Sequence, residues 1–368
     1  MSGYELYDFL AIDNPLTEQE RKEVSSLSSR TKATSYSASF LYHYGGSLGN
    51  GVDVLLKYFD AFLYYTNWGS AHLSFRFPNN AIDIKLLEQY EYGYSVRVTK
   101  HEKYTILEMM YDSEEGFGWV DGEGLLSTMV GLRQDIINGD MRAPYLMWLQ
   151  GVQVDIEYGD LDPDDIIEPP LPNNFKHLQP QLEAFTEFMM IEDALLETLA
   201  RASSTYKKPK LDIEKGLTLL SSSEKDAFLT QLAQNVPNLS SQLQKRLREL
   251  LPDDAQKPNT TTFKVMDILQ NIETVEREQA LALEAKENAY LDDLKAREDK
   301  IWQNIHWLIS QKKTKSYEEA IEHLVELRKV AMRDNTMATF QAQISEIYEI
   351  YPTLKGLHSR LAYKDFKK

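Results

Sequence analysis

The residues best suited to covalent chemistry lie in the glycine-rich stretch Tyr44–Gly51, which contains the pattern Gly45-x-Ser47-x-Gly49. This pattern is typical of a nucleophile elbow, in which the serine stands on a sharp turn between a strand and a helix. The preceding "SFLYHY" favours a strand, and a helix is expected to begin near Val52. However, an α/β-hydrolase sheet needs several strands before its nucleophile, and the 46 residues that precede Ser47 leave too little room. We therefore expect a flexible glycine turn and keep a hydrolase-like enzyme as an alternative.

An enzyme built at this loop would need a base and a charged group from elsewhere in the chain. The nearest candidates for such a site are Ser47, His43, His72 and Arg76. A working site requires at least two of these side chains within hydrogen-bond reach of each other. The seven histidines are scattered, with no pair at i, i+4 and no H-E-x-x-H motif. We therefore expect no metal and no other cofactor.

Two ligand-binding motifs are present only in part. Gly51 is followed by Val52 and Asp53, where a phosphate-binding loop has its lysine and its hydroxyl residue. The run "DLDPDD" has the alternating carboxylates of a calcium loop, but Asp165 replaces the glycine of the sixth position and Leu171 replaces the glutamate of the twelfth. We expect a solvated acidic loop that attracts a basic partner. Its candidate binding residues are Asp160, Asp162, Asp164 and Asp165.

Composition excludes several classes of chemistry. The chain has no cysteine, which removes disulfides, thiolate nucleophiles and cysteine-ligated metal centres and fits a reducing cytosol. The formal net charge of −17 is uneven: residues 1–172 hold 27 acidic and 12 basic residues, a net charge of −15. An acidic front half repels phosphate backbones, so direct nucleic-acid binding there is disfavoured. It would instead attract a basic protein.

The elements that must position these residues begin with an α+β domain, predicted over residues 1–155. Helical spacing predicts a largely buried helix from Val54 to Thr66, ended by Gly69. Alternation then predicts a strand over residues 73–77. Two further strands flank "KHEK", with Val96 and Val98 expected to face Leu107 and Met109 or their neighbours. Trp68 is expected in the core.

The remainder of the chain is predicted to be helical. Residues 156–174 form an acidic, proline-rich linker or loop, 175–252 a helical bundle, and 253–262 a second linker. Residues 263–368 form a long helix, from Phe263 to about Gln311, followed by a TPR-like helix pair. The serines before Glu224 are expected to cap a helix of the bundle.

The long helix and the terminal pair offer candidate docking residues, which are Trp302, Trp307 and Tyr317. Apolar residues at alternating three- and four-residue steps allow either a coiled-coil seam, and hence a homodimer, or a helix lying on its own domain. The residues of this seam are Leu291, Leu294, Ile301, Ile305 and Leu308.

Basic residues have a structural and a functional interpretation. In the acidic front half, we expect arginines to pair with nearby carboxylates. These arginines are Arg76, Arg97, Arg133 and Arg142. In the back half, clustering of bases on one face would favour an accessory factor of a nucleic-acid-associated bacterial defence system. The bases concerned are Lys207, Lys208, Lys210, Lys245, Arg246 and Arg248.

Three segments together resemble an uncharacterised family of bacterial proteins: "YELYDFLAIDNPLTEQERKEVSSLSSR", "YFDAFLYYTNWGSAHLSFRFP" and "LSSSEKDAFLTQLAQN". The tail "WLISQKKTKSYEEAIEHLVELRKVA", with the following "FQAQISEIYEIYPTLKGLHSRL", resembles the helical ends of some bacterial proteins that carry SWIM-type zinc fingers. Such a finger needs cysteines, which this chain lacks. The resemblance implies a bacterial, cytosolic protein that works beside such a partner, and it brings no catalytic motif.

The sequence therefore predicts a non-enzymatic cytosolic interaction protein with an acidic N-terminal domain and a helical docking surface. Its partner would be another protein, basic if it binds the acidic half, and no membrane span is expected. An enzyme near residues 45–51 and the defence-system factor remain the alternatives.

Overall fold

The computed structural model describes residues 4–29, 31–43, 47–113, 116, 124–162, 166–206, 211–234, 236, 239–251 and 264–367. The chain divides into two compact units, unit 1 over Met1–Val275 and unit 2 over Glu276–Lys368. Each unit has its own hydrophobic core. The N-terminal α+β architecture followed by helices confirms the predicted fold class.

Unit 1 contains an antiparallel sheet of seven described strands in the order β2-β3-β1-β4-β5-β7-β6. The strands are β1 (Tyr4–Leu10), β2 (Thr31–Ala33), β3 (Ser37–His43), β4 (Ala61–Thr66), β5 (Ser70–Pro78), β6 (Val96–Lys100) and β7 (Tyr104–Asp112). The predicted hairpin is confirmed in register, because Val96 pairs with Met109 and Val98 with Leu107.

The sheet buries apolar side chains on both faces. On β5, Leu73, Phe75 and Phe77 point to the larger core, which also contains helices, while His72 and Arg76 point to the opposite face. That opposite face holds a smaller core under helices α1 (Glu18–Ser26) and α2 (Gly51–Tyr58), which is centred on β1, β3 and β4. Because β4 is covered on both faces, its sequence is almost continuously apolar.

This two-sided burial explains why the predicted helix Val54–Thr66 is wrong. Helix α2 ends at Tyr58, and the following residues form β4, which pairs with β1 and β5. A buried strand that is apolar on both faces cannot be told from a buried helix by periodicity. Gly69 lies in the β4–β5 turn instead, with φ of 130°. Trp68 in the same turn is 53% exposed, so its predicted burial is also wrong.

Helices complete unit 1, and the larger core runs from the sheet through them as far as Val275. The helices are α3 (Ile84–Glu88), α4 (Leu125–Met129), α5 (Gly131–Ile137), α6 (Arg142–Tyr158), α7 (Pro180–Phe188), α8 (Asp193–Ala202), α9 (Ile213–Leu219), α10 (Ser222–Ala233), α11 (Leu239–Leu250) and the start of α12 (Val265–Ala296). The predicted boundary at residue 155 falls inside α6. Leu171, in the predicted linker, is buried in this core. The second predicted linker, 253–262, lies outside the described residues.

The predicted pairing of the four arginines is confirmed. Arg76 binds Asp60, Arg97 lies 3.9 Å from Glu108, Arg133 binds Asp13 and Arg142 binds Asp140. Three of these guanidinium groups have almost no exposure, at 11% for Arg76 and 3% for Arg133 and Arg142. Their charges are therefore neutralised inside the fold rather than presented to a ligand.

Unit 2 is helical, and the predicted helix from Phe263 to about Gln311 is two helices. Helix α12 ends at Ala296, and α13 (Glu298–Ser310) begins after Arg297. The backbone of Arg297, with φ of −110° and ψ of 7°, is not helical and separates the two helices. Helices α14 (Thr314–Arg333), α15 (Met337–Ile350) and α16 (Lys355–Tyr363) follow.

The apolar seam predicted for a coiled coil is used within unit 2 itself. Leu291 and Leu294 pack on Val330 of α14, while Ile305 and Leu308 belong to the core that α13 shares with the three helices after it. Of the two interpretations left open by the sequence, this burial favours a helix lying on its own domain. The seam is not an open surface for a second copy.

Candidate functional site

Ser47, His72 and Arg76 lie on or beside the face of the sheet that α1 and α2 partly cover, whereas His43 contacts Tyr4 on the opposite face. His43 ends β3, Ser47 precedes α2, and His72 and Arg76 lie on β5. Strand β3 followed by α2 confirms the predicted strand–turn–helix order, although residues 44–46 are outside the described part. No hydrogen bond or ion pair joins any two of these four described side chains. The geometry required by the enzyme hypothesis is therefore not present among them.

Ser47 is held by a cluster of phenols around one buried carboxylate. Its hydroxyl lies 2.8 Å from the hydroxyl of Tyr7, which donates at 2.6 Å to Glu5 Oε1. The hydroxyl of Tyr64 donates to the same oxygen at 3.1 Å. Burial, and then the hydrogen bond to Glu5, raise the pKa of Tyr7 to about 12. At neutral pH this phenol stays protonated, so the contact fixes Ser47 and supplies no base that could activate it.

His72 has partners of its own. Its Nε2 lies 2.9 Å from the Tyr94 hydroxyl and 3.9 Å from Asp112 Oδ1. Burial lowers the pKa of this imidazole, the Asp112 charge opposes that change, and the Arg97 charge adds to it. The ring is thus a neutral hydrogen-bonding group.

Glu108 lies near His72 on the same face of the sheet, and it is 8% exposed. Burial raises the pKa of its carboxyl, and Arg97 opposes that rise. Among the described residues, no serine, threonine or lysine is a hydrogen-bond partner of His72 or Glu108, and burial raises the pKa of the Tyr94 phenol, which His72 contacts, to about 12.

Metal ligands do not come together in the part of the chain that the structure describes: no group of three or more histidine, aspartate or glutamate residues there could hold an ion. Asp160 and Asp162 of the predicted acidic loop are exposed beyond the end of α6. Asp164 and Asp165 lie outside the described residues.

The three predicted docking aromatics divide between core and surface. Trp302 is 7% exposed and Tyr317 is 8% exposed, and both belong to the core of unit 2. Trp307 is 59% exposed. The helical period explains the difference, because Trp302, Ile305 and Ile309 share the inner face of α13, and Trp307 lies off that face. Of these three side chains, Trp307 alone is accessible to a partner.

Helices α9, α10 and α11 form a groove that the sequence analysis did not single out. It has a volume of about 670 Å³. Its lining residues are mostly leucines, and they are Leu217, Thr218, Leu220, Lys225, Phe228, Leu229, Leu232, Leu239, Ser240 and Leu243. Helix α10 has no buried residue, and Leu229 and Leu232 are 63% and 62% exposed. One face of this helix is therefore apolar and uncovered by the described chain.

Polar contacts fix α10 in place without burying its apolar face. Ser221 and Glu224 form a complete capping box at its start, which confirms the predicted serine cap. Arg246 of α11 binds the Glu224 carboxylate at 2.8 Å. The Ser221 hydroxyl and backbone N–H, followed by Arg246, lower the pKa of Glu224 to about 2. Leu247 is fully buried and packs on Gly216, which joins α11 to α9.

The spacing of apolar residues within α10 could have predicted one side of the groove. Lys225, Phe228, Leu229 and Leu232 follow i, i+3, i+4, i+7 and so share one face. The sequence pattern predicts such a face but not whether another helix covers it.

Lys245 and Arg248 of α11 line the same cavity, and the gathering of all six basic residues of the back half on one face stays a prediction. Lys207, Lys208 and Lys210 lie outside the described residues. On α11, Arg246 is engaged by both Glu224 and Glu249.

Comparison of the chain with protein-family models, with curated proteins and with solved structures found no match. The resemblance to SWIM-associated proteins therefore stays a prediction. Within the described residues, no helix combines the length and the apolar character that crossing a bilayer requires.

Proposed function

We propose that the protein is a non-enzymatic cytosolic interaction protein that binds an amphipathic helix of a partner protein in the α9–α11 groove. The observation that carries the proposal is helix α10, a twelve-residue helix that is capped and ion-paired in place yet buries none of its residues. Exposed apolar stripes of this kind on a fixed helix are typical of helix-in-groove recognition. The lack of cysteine supports a reducing compartment.

The chemistry of the lining defines the partner helix. Lys225 is the charged residue among those that line the groove, and no carboxylate is among the described lining residues. A partner helix would place leucine-like side chains against Phe228, Leu229 and Leu232 and a carboxylate near Lys225. Full burial of a leucine stabilises a complex by about 1.5–3 kcal/mol, so covering the exposed parts of Leu229 and Leu232 contributes roughly 1–2 kcal/mol each.

This acidic helix differs from the basic partner predicted from the charge of residues 1–172. That prediction concerns the acidic front half of the chain, whereas the groove lies in the part after it. The two expectations are independent, and the groove alone carries the present proposal.

Designed peptides test the groove directly. We would titrate the full chain with a fluorescein-labelled sixteen-residue helical peptide that has leucines at i, i+3, i+4 and i+7 and glutamates beside them, and follow anisotropy. A peptide with lysines in place of the glutamates and one with a scrambled leucine spacing are the references. We expect the glutamate peptide to bind several-fold more tightly than the lysine peptide, and the scrambled peptide to bind at least tenfold more weakly.

Variants locate the binding. The double change Leu229→Glu and Leu232→Glu should lower the affinity for the glutamate peptide at least tenfold. Both side chains are exposed, so their replacement should leave the fold intact. Leu281→Glu, at a residue of α12 that is 60% exposed outside the groove, is the matched control and should leave affinity unchanged. Lys225→Glu should reverse the preference between the two charged peptides. Equal binding of the scrambled peptide, or an unchanged affinity in the double variant, would overturn the proposal.

A further inference from the structure

Unit 1 contains a cavity of about 490 Å³ that none of the predicted sites includes. The turn between α5 and α6, the segment of residues 170–174, and the side chains of Leu86, Tyr90 and Tyr206 surround it. Cavities of this volume in proteins hold small molecules. Its apolar wall consists of Leu86, Met141, Pro170, Leu171 and Pro172.

The polar wall of this cavity is dominated by hydrogen-bond acceptors. It holds two carboxylates, Asp135 and Asp140, together with side-chain amides and the buried phenol of Tyr90. No lysine, arginine or histidine is among its described lining residues. The Tyr90 hydroxyl is already engaged, since it donates to the carbonyl oxygen of Pro170 at 3.1 Å. A neutral ligand would supply no charge to complement the carboxylate of Asp135, whereas Asp140 is already paired with the buried Arg142.

The two carboxylates are not equivalent. Asp140 is balanced by the buried Arg142, which donates to both of its carboxylate oxygens and also to the carbonyl oxygens of Asn174 and His177. Because Asn174 lines the cavity, Arg142 thereby holds this part of the cavity wall in place.

No cation of the described chain forms an ion pair with Asp135, although the Arg142 charge acts on this carboxyl. Among the described residues its carboxylate accepts one hydrogen bond, at 2.8 Å from Gln181 Nε2. Burial raises the pKa of Asp135, and the hydrogen bond from Gln181 opposes that rise. Asp135 is thus a half-buried acceptor with capacity for further donors.

We propose that this cavity binds a small organic cation, an alkylammonium compound whose charged end contacts Asp135 and whose hydrocarbon chain lies on Leu86, Met141 and Leu171. An ammonium group supplies three donors and the positive charge that the lining lacks. The net charge of −15 on residues 1–172 raises the local concentration of any cation. The site is separate from the α9–α11 groove, with which it shares no lining residue.

Methionine methyl groups provide a local probe. Met141 lines the cavity and is 4% exposed, so we would label the full chain with ¹³C-methyl methionine and titrate it with n-butylammonium chloride. Titrations with n-butanol and with sodium chloride separate the cationic contribution from the apolar and the ionic-strength contributions. We expect a saturable shift of the Met141 methyl signal with n-butylammonium and an affinity at least tenfold weaker for n-butanol.

Three variants make this test decisive. Asp135→Asn keeps an oxygen that can accept a hydrogen bond from Gln181 but removes the charge. This variant should lower the affinity for n-butylammonium at least tenfold. Asp226→Asn, on the exposed surface of α10, changes the net charge equally and should have no effect. Leu86→Trp should weaken binding by filling the cavity without any change of charge. Binding of n-butanol as tightly as n-butylammonium, or an unchanged affinity in Asp135→Asn, would overturn the assignment.

Discussion

Arg133 and Asp13 lie 120 residues apart in the chain and form a bidentate ion pair inside unit 1, with Nη1–Oδ1 and Nη2–Oδ2 distances of 2.9 and 2.7 Å. Their side chains are 3% and 9% exposed. The pair continues into a network: the backbone N–H of Asp13 donates to Asp60, which also binds the guanidinium of Arg76. Arg133 Nε donates to the backbone oxygen of Arg76. Helix α5 is thereby tied to the segment after β1 and to β5.

Removal of one partner of this pair should destabilise unit 1 strongly. Arg133→Met leaves Asp13 buried without its cation, and such a change costs about 3–5 kcal/mol of the free energy of unfolding. Urea unfolding followed by circular dichroism measures the loss. Arg201→Met is the control, because its ion pair with Glu197 is about half exposed and contributes at most about 0.5 kcal/mol. Similar costs for the two variants would show that the buried network does not stabilise the fold as described.

The pKa of His72 should depend on the two charged groups that face it, Asp112 and Arg97. The phenols of Tyr64 and Tyr94 are its neutral neighbours. Its pKa lies below 6.5 in the fold, so the unfolded chain binds the proton more tightly. The stability that His72 contributes is therefore complete above pH 6.5 and is lost as the pH falls below that value.

Nuclear magnetic resonance titration of the imidazole signals measures this pKa, and two variants test its causes. Asp112→Asn removes a charge that raises the pKa and should lower it further. Arg97→Met removes a charge that lowers the pKa and should raise it. Movement of either value in the opposite direction would mean that the His72 ring does not face these two groups.

The features that the sequence predicted are those that short-range patterns determine. The β6–β7 register follows from alternation around a short turn, and the cap at Ser221 follows from a serine three residues before Glu224. The apolar seam around Leu291 and Ile305 was predicted correctly, but its pattern did not determine what packs against it. Its partner proved to be the chain itself.

The features that the sequence missed depend on contacts between distant residues. Strand β4 carries apolar residues on both faces because helices cover each face, which no local period reveals. The groove at Leu229 is visible as a stripe in the sequence, but its exposure depends on what packs there. The cavity at Asp135 also includes Tyr90 and residues 170–174, which no motif connects to it.

Two glycines with positive φ should respond differently to a methyl group. At Gly69, with φ of 130°, an added Cβ would lie 1.9 Å from the backbone oxygen of Ser113. At Gly159, with φ of 76°, the space is open. Gly159→Ala should cost about 1–2 kcal/mol from the left-handed backbone alone. Gly69→Ala should cost more than about 3 kcal/mol, because backbone must also shift. Thermal or urea unfolding of the two variants compares these costs, and equal losses would contradict the tight β4–β5 turn.

Two tryptophans of α13 were both predicted to be docking residues, but they differ in burial. Trp302 packs on Phe340 with ring centroids 5.9 Å apart, whereas Trp307 is mostly exposed. Trp302→Ala should therefore destabilise unit 2 by about 3–5 kcal/mol, the range for large aromatic side chains removed from a core. Trp307→Ala should change the free energy of unfolding by no more than about 0.5 kcal/mol.

Hydrogen exchange of the amides in α13 and α14 reports on unit 2 separately from unit 1, because each unit has its own core. Faster exchange across both helices in Trp302→Ala, with no change in Trp307→Ala, is the expected result. Comparable acceleration in the two variants would mean that Trp307 also supports the core. Trp307 would then not be a docking residue, because an indole that packs on the core could not bind a partner without destabilising unit 2.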